Sequence, residues 1–298
     1  MTKTKIAIIY DFDRTLSVLE MQDSFIRALG LKPKEFWNEV EKFKKDNQMD
    51  GTLAYLYCMK RKCNDLHKQL NRDVLVKYGS TVRFFKGVEE WFDEIDEVAK
   101  QYNITIEHYL ISAGLKEIVE GTPIYKHFEK VFACEYLYDE NGNPVWIKNA
   151  INYTTKTQFI FRINKGALDI SDDRSVNNYL PHDERVIPFD NIIYIGDGDS
   201  DIPCMKLVKE YGGHSIGVYD RKRNKVNELM YDERINFICK ADYRKGKTLY
   251  DTVSGIIGKV SFGDNLRKQE NKDYKAARSY CEKKHCGEAS IESSSQSE

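Results

Sequence analysis

Asp11 and Asp13 stand two residues apart, directly after the apolar run 6–10, in the segment Asp11-Phe12-Asp13-Arg14-Thr15. Residues two apart in an extended strand share a face, so this spacing brings two carboxylates to one site at a strand end. Three further segments carry reactive side chains. Ser112-Ala113-Gly114 follows the run 106–111, and Gly196-Asp197-Gly198-Asp199-Ser200-Asp201 follows the run 192–195. Lys156 opens a helical pattern marked by Phe159, Ile160 and Ile163. Each has a bland reading: acid pairs cap turns and helices, Ser-Ala-Gly and Gly-Asp-Gly occur in many loops, and a single lysine is usually solvated. Taken together and in order, they form a set suited to a phosphate bound to magnesium. A hard cation is held by two or three carboxylates while keeping waters, here Asp11 and Asp197 with the backbone carbonyl of Asp13. The metal shields a carboxylate nucleophile from its anionic target. A serine hydroxyl, backbone N–H groups and a lysine offset the charge of the transferring phosphoryl group.

The elements that must position these residues alternate. The runs 6–10, 106–111, 131–134, 192–195 and 215–219 read as strands, several nearly all apolar, as in parallel strands covered on both faces. Between them lie amphipathic helices, one with Val88, Trp91, Phe92, Ile95 and Val98 on a single stripe. This alternation predicts an open α/β sheet, which binds ligands beyond the carboxyl ends of its strands. Residues 18–85 break the alternation with helical patterns alone and read as an insertion after the first strand. Asn141-Gly142 within 138–144 predicts a hairpin turn. Residues 169–190 read as a long polar loop. From about residue 264 the chain is charged and then Ser/Glu-rich, with room for one frayed helix before a disordered end.

Length and composition exclude several classes. The 298 residues are 41% hydrophobic and 31% charged, enough for a soluble core with an inserted unit. The 46 Lys+Arg nearly cancel the 47 Asp+Glu, unlike the basic excess of proteins that bind nucleic acid through its phosphates. No run is long enough for a membrane span, and the run 6–10 is too short for a signal-peptide core, so the expected location is the cytoplasm. Seven cysteines, an odd number, fit reduced thiols better than a disulfide framework. Cys281, His285 and Cys286 make at most half a zinc site and are read as incidental.

The ordered set resembles the haloacid dehalogenase (HAD) superfamily. The resemblance covers 1–16 and 86–262 as a Rossmann-like, doubly wound, mostly parallel α/β core. It implies a helical C1 cap at 17–85 and leaves 263–298 as a charged, flexible tail. It further implies that Asp11 becomes an aspartyl-phosphate and that Asp13 is the general acid/base. Thr15, Ser112 with Ala113 and Gly114, and Lys156 match the positions that hold the phosphate or the nucleophile. Asp197 matches the acid that binds Mg²⁺, and Asp201 one that supports the metal or the lysine. Lys165 is a rival for the lysine, with Lys156 preferred because it opens the helix.

An acid at position 13 points to phosphatases or phosphomutases rather than dehalogenases or ion pumps. Within the superfamily the chain resembles phosphoserine-phosphatase-like members, in which a Glu of the cap's first helix, here Glu20, contacts a small phosphorylated metabolite. Arg14 and Ser200 depart from that subgroup's usual small residue and Asn. Arg61, Arg72 and Arg83 are all candidates to grip a substrate carboxylate. A phosphomutase, or a non-catalytic binder of a phosphorylated ligand, is an alternative from the same residues.

Overall fold

The computed structural model describes residues 3–181 and 184–294, with the side chains of 268, 271 and 283–294 left out of that description. Seven strands form one sheet in the order β4-β3-β2-β1-β5-β6-β7. They are β1 (Thr4–Tyr10), β2 (Ile104–Leu115), β3 (Phe128–Tyr138), β4 (Pro144–Asn149), β5 (Ile192–Gly196), β6 (His214–Tyr219) and β7 (Phe237–Lys240). All neighbours are parallel except β3 and β4, the hairpin that the Asn-Gly turn predicts. Ile6 to Tyr10 of β1 are fully buried, so the apolar run reports a central strand covered on both faces. The chain winds outward from β1 through β2 and β3 on one side and from β5 through β6 and β7 on the other. The strand order therefore reverses between β1 and β5, and a crevice opens beyond their carboxyl ends.

The flanking helices are α5 (Val88–Gln101), α6 (Lys116–Glu120), α7 (Thr155–Lys165), α8 (Asp173–Asn177), α9 (Ile202–Glu210), α10 (Asn224–Tyr231) and α11 (Thr248–Ser294). The expected stripe of α5 is buried, and Trp91 Nε1 donates to Tyr10 Oη at 2.8 Å. Because indole only donates, the Tyr10 hydroxyl proton turns to His108 Nδ1 at 2.9 Å. His108 Nε2–H then faces Asp96 at 3.2 Å, so a continuous polar chain clamps α5 and β2 to β1.

Three features differ from the sequence expectation. β7 was not foreseen, being short and only partly apolar. The polar stretch 169–190 contains α8 and a 3₁₀ turn at Phe189–Asn191. From residue 264 the chain continues in α11 to Ser294, while residues 295–298 lie outside the described residues. Leu249, Val253, Ile256, Ile257 and Val260 bury one face of α11, and beyond them Phe262 and Leu266 are exposed. No helix among the described residues is long and apolar enough to cross a membrane.

Between β1 and α5 the insertion forms α1 (Asp23–Ala28), α2 (Pro33–Asp46), α3 (Gly51–Asp65) and α4 (Arg72–Gly79). Asp50 caps α3, its Oδ1 accepting from Thr52 N at 2.9 Å and Leu53 N at 3.1 Å. The insertion is tied to the core along α3. Thr52 Oγ1 donates to Ile151 O at 3.0 Å and Tyr55 Oη to Ala113 O at 2.7 Å. Tyr136 Oη reaches back from β3 to Leu56 O at 2.8 Å. A second anchor joins α4 to α6 through backbone contact. A Cβ on Gly121 would lie 1.8 Å from Val76 O, and one on Gly79 would lie 2.3 Å from Ile118 O. Backbone cannot retreat as a flexible side chain can, so any side chain here separates the two helices. Gly121→Ala is expected to lower stability by about 1–3 kcal/mol, read as a lower urea midpoint. A midpoint equal to that of the parent protein would contradict the close packing.

Candidate active site

Asp11 leaves β1 at the reversal point, where its backbone N–H donates to Ile195 O of β5 at 2.9 Å. The next turn is tight: the N–H groups of Thr15, Leu16 and Ser17 all point to Phe12 O. Arg14 takes a left-handed conformation (φ 60°), sparsely populated for a residue with a Cβ. Tyr243, beyond β7, donates its hydroxyl to Thr15 O at 2.9 Å and pins the end of the turn. Asp11 is thus buried and fixed by its backbone before any side-chain contact is made.

Lys156, the second residue of α7, is completely buried and reaches under the strand ends. Its ammonium donates to Asp11 Oδ1 at 2.6 Å, Asp201 Oδ1 at 2.8 Å and Ser200 Oγ at 3.3 Å. Asp201 also accepts from Tyr194 Oη at 2.7 Å and from Gly198 N at 3.3 Å. Gly196 makes room for it, since a Cβ there would sit 2.5 Å from Asp201 Oδ2. Lys165 lies elsewhere, its ammonium donating to Val176 O and Asn178 O at 2.7 and 2.6 Å. Of the two candidate lysines, only Lys156 touches the acids.

Oxygens of Asp11, Asp197 and Asp201 lie within 4.8 Å of one another. Burial and the charge of Asp201 push the Asp11 carboxyl up to about 8, against the pull of Lys156. Burial and Asp201 likewise raise Asp197 to about 6, opposed by Lys225. Burial alone would lower the Lys156 pKa, but Asp11 and Asp201 carry it above the ordinary lysine value. For both carboxyls burial is the larger cause and a surplus of negative charge the second: Asp11 and Asp201 share one buried ammonium, and Asp197 faces the partly exposed Lys225 at 3.9 Å. A divalent cation beside Asp11 and Asp197 removes that surplus, so the donor set fits a hard, oxygen-seeking ion. Asp201 already accepts from Lys156, Tyr194 and Gly198.

Asp13 falls outside this carboxylate cluster. Its Oδ1 accepts from Met21 N at 2.7 Å, and it lines the cleft under the insertion. Burial, followed by the charges of Glu20 and Asp11, raises its pKa well above the ordinary carboxylate range. The side chain of Asp13, expected among the metal ligands, is thus turned to the Met21 N–H and stands apart from the group formed by Asp11, Asp197 and Asp201. Ser112 is buried, its Oγ accepting from Gly114 N at 3.0 Å. β2 runs through Ser112-Ala113-Gly114 instead of ending at residue 111, but its register with β3 breaks between Ile111 and Leu115. That break frees the segment from regular pairing. Gly114 lets the insertion approach, since a Cβ there would meet the Met21 side chain at 2.2 Å. The Thr15 hydroxyl is buried with no partner, a donor available to a phosphoryl oxygen.

Glu20 sits in the turn before α1 rather than within a helix, and it accepts from Arg14 Nε at 2.8 Å. Three contributors were not visible in the sequence. Tyr194 is the one polar side chain in an aliphatic strand, a faint signal. Lys225 passes over Gly198 to within 3.2 Å of Asp199 and 3.9 Å of Asp197. Asn152 donates to Asp50 Oδ2 at 2.9 Å, closing one side of the cleft. His285 and Cys286 lie outside the described side chains.

No family model matches the chain. A protein of Borreliella burgdorferi (strain B31), described only as uncharacterized, is 30% identical over 275 residues, which span 83% of this chain and 95% of that protein. Among solved structures, a HAD family hydrolase from Salmonella enterica serovar Typhi superposes with a TM-score of 0.52 at 19% identity, covering 79% of this chain and 67% of its own. A phosphoserine phosphatase in its apo form gives 0.51 at 19% identity, covering 81% and 97%. A probable phosphoserine phosphatase from Vibrio cholerae gives 0.53 at 10% identity, covering 88% and 67%. At such identities the likeness is one of fold. The chain therefore belongs to one family with the Borreliella burgdorferi protein, and its fold is that of the HAD superfamily in its phosphoserine-phosphatase-like form.

Proposed function

We propose that the protein is a Mg²⁺-dependent phosphatase that hydrolyses a small phosphomonoester through an aspartyl-phosphate on Asp11. The observation that carries the reading is the pairing of two differently treated carboxylates. Asp11 is gripped by Lys156, whereas Asp13 is held by a backbone N–H at the mouth of a cleft of about 690 Å³.

Asp11 Oδ1 is spent on Lys156, and the second oxygen carries no hydrogen bond among the described residues, which leaves it to attack phosphorus. Lys156 keeps the nucleophile oriented and offsets charge as the P–O bond forms. Asp13, its pKa raised, holds a proton to give to the leaving oxygen. It then takes a proton from the water that hydrolyses the acyl phosphate. Thr15 Oγ1, Ser112 and the nearby backbone N–H groups are placed to donate to the phosphoryl oxygens. Asp11, Asp197 and the Asp13 carbonyl would hold Mg²⁺, which supplies charge neutralisation at the phosphate. The insertion, tied down along α3, limits access to molecules of metabolite size and excludes water. The described cysteines are all unpaired, which suits a reducing, cytoplasmic setting.

Phosphate release over a panel of monoesters with Mg²⁺ tests the reading. Asp11→Asn is expected to lose turnover on the order of 10³-fold or more, and full activity in that variant would exclude the covalent route. An isomeric product without net phosphate would instead identify a mutase. Asp13→Asn is expected to lower kcat by roughly 10²–10⁴-fold, with the phosphorus-labelled phosphoenzyme persisting after acid quench. Mg²⁺ at a hundred times its dissociation constant is expected to stabilise the fold by about 2.7 kcal/mol, seen as a higher Tm. Asp197→Asn should remove that rise, and an undiminished shift would place the ion elsewhere.

A further inference from the structure

We infer that the substrate carries a primary ammonium group and no carboxylate, so that the cleft is built for a phosphorylated amino alcohol. The inference rests on the phosphatase reading and names the chemistry of the part of the substrate that Asp11 does not touch.

Most acids of the cleft wall are already matched within the protein. Glu20 is paired with Arg14 at 2.8 Å and Glu41 with Lys44 at 2.6 Å. Asp50 is used by the α3 cap and by Asn152. Gln22 and Asp23 are different. They lie side by side at the start of α1 with 2% and 8% of their surface exposed, and both line the cleft. Gln22 Oε1 and Asp23 Oδ1 are buried and accept no hydrogen bond. The other Asp23 oxygen is ion-paired with the half-exposed Arg27, whose Nη2 donates to it at 3.3 Å, so the open position is Oδ1. A fold seldom keeps two adjacent buried acceptors open unless a ligand completes them. Two acceptors, one of them a carboxylate, call for a group with several N–H donors and a positive charge. A primary ammonium meets this demand, whereas a quaternary one has no proton to give. Trp37 Nε1, also on the cleft wall and without a partner, supplies a donor for a substrate oxygen.

The arginines argue against a carboxylate on the same molecule. Arg61 is paired with Glu39 at 2.6 Å and lies over the rings of Phe43 and Tyr57. Arg72 is paired with Glu120. Arg83 and Arg27 line a small pocket that shares Glu20 and Asp23 with the cleft, and neither lines the cleft itself. Arg14 is the arginine of the cleft wall, and Glu20 already holds it. Among the described lining residues, Lys34 at the exposed rim is the cation with no acidic partner. A substrate carboxylate therefore finds no buried fork like those that bind such groups well.

The test compares molecules of equal size on the full chain with Mg²⁺. In calorimetry, aminoethylphosphonate is expected to bind about tenfold or more tightly than hydroxyethylphosphonate. In phosphate release, aminoethyl phosphate should exceed hydroxyethyl phosphate, glycerol phosphate and phosphoserine in kcat/KM. Asp23→Asn should bring the aminoethyl-to-hydroxyethyl ratio towards one, with the loss carried mainly by KM. Gln22→Leu gives the same readout if Asp23→Asn fails to fold. Equal binding of the two phosphonates, or a ratio unmoved by both variants, would overturn the inference. Preference for glycerol phosphate would refute the ammonium, and preference for phosphoserine would refute the missing carboxylate. Release from p-nitrophenyl phosphate with no preference for aminoethyl phosphate defeats this inference and leaves the phosphatase reading intact. No release from any monoester defeats the phosphatase reading, and the calorimetry then decides whether the cleft selects an ammonium.

Discussion

The Lys156 ammonium, fully buried and shared between Asp11 and Asp201, is the interaction on which the rest of the site depends. A buried charge is stable only when paired, so α7, β1 and the loop after β5 must all arrive at one point. The sheet topology makes that convergence possible. Asp11 and Asp201 follow neighbouring parallel strands on either side of the order reversal, and the lysine enters from the N-terminal turn of a helix. Gly196 leaves the space the Asp201 carboxylate occupies, and Tyr194 fixes its orientation from within the strand.

One lysine does not neutralise the cluster. Asp197 and the second oxygen of Asp11 have no bond to Lys156, and burial, followed by the charge of Asp201, raises both carboxyls. The same burial and crowding suit the cluster to a cation. Two carboxylates that sit two residues apart thereby acquire separate chemistry. Asp11 is tied to a fixed positive charge. Asp13 is turned towards the insertion, held by the Met21 N–H, and kept in surroundings that favour its protonated form.

The insertion links this chemistry to selectivity. Its docking through α3 and through the Gly79–Gly121 contact sets the Met21 backbone against Asp13 and brings Gln22, Asp23 and Trp37 to the cleft wall. Packing far from the acids thus decides both the position of Asp13 and the polarity of the cleft wall. The Arg14–Glu20 pair removes one charge of each sign from that surface.

The sequence by itself determined the parallel core, the helical insertion, the β3–β4 hairpin and the positions of Asp11, Asp13, Ser112, Asp197 and Asp201. These are local signals: unbroken apolar runs, a 3.6-residue stripe, an Asn-Gly turn, and acids immediately after strands. Only the tertiary structure decided between Lys156 and Lys165, because both lie on α7 and differ in which carbonyls or carboxylates the fold brings to them. The same holds for Gln22 and Asp23, which read as ordinary polar residues until packing buries them without partners. Tyr243 and Lys225 were equally silent, since their roles depend on contacts between segments far apart in the chain. Periodicity records which face of an element is buried; it does not record what a polar atom on that face will meet, and that meeting turns a set of acids into a site.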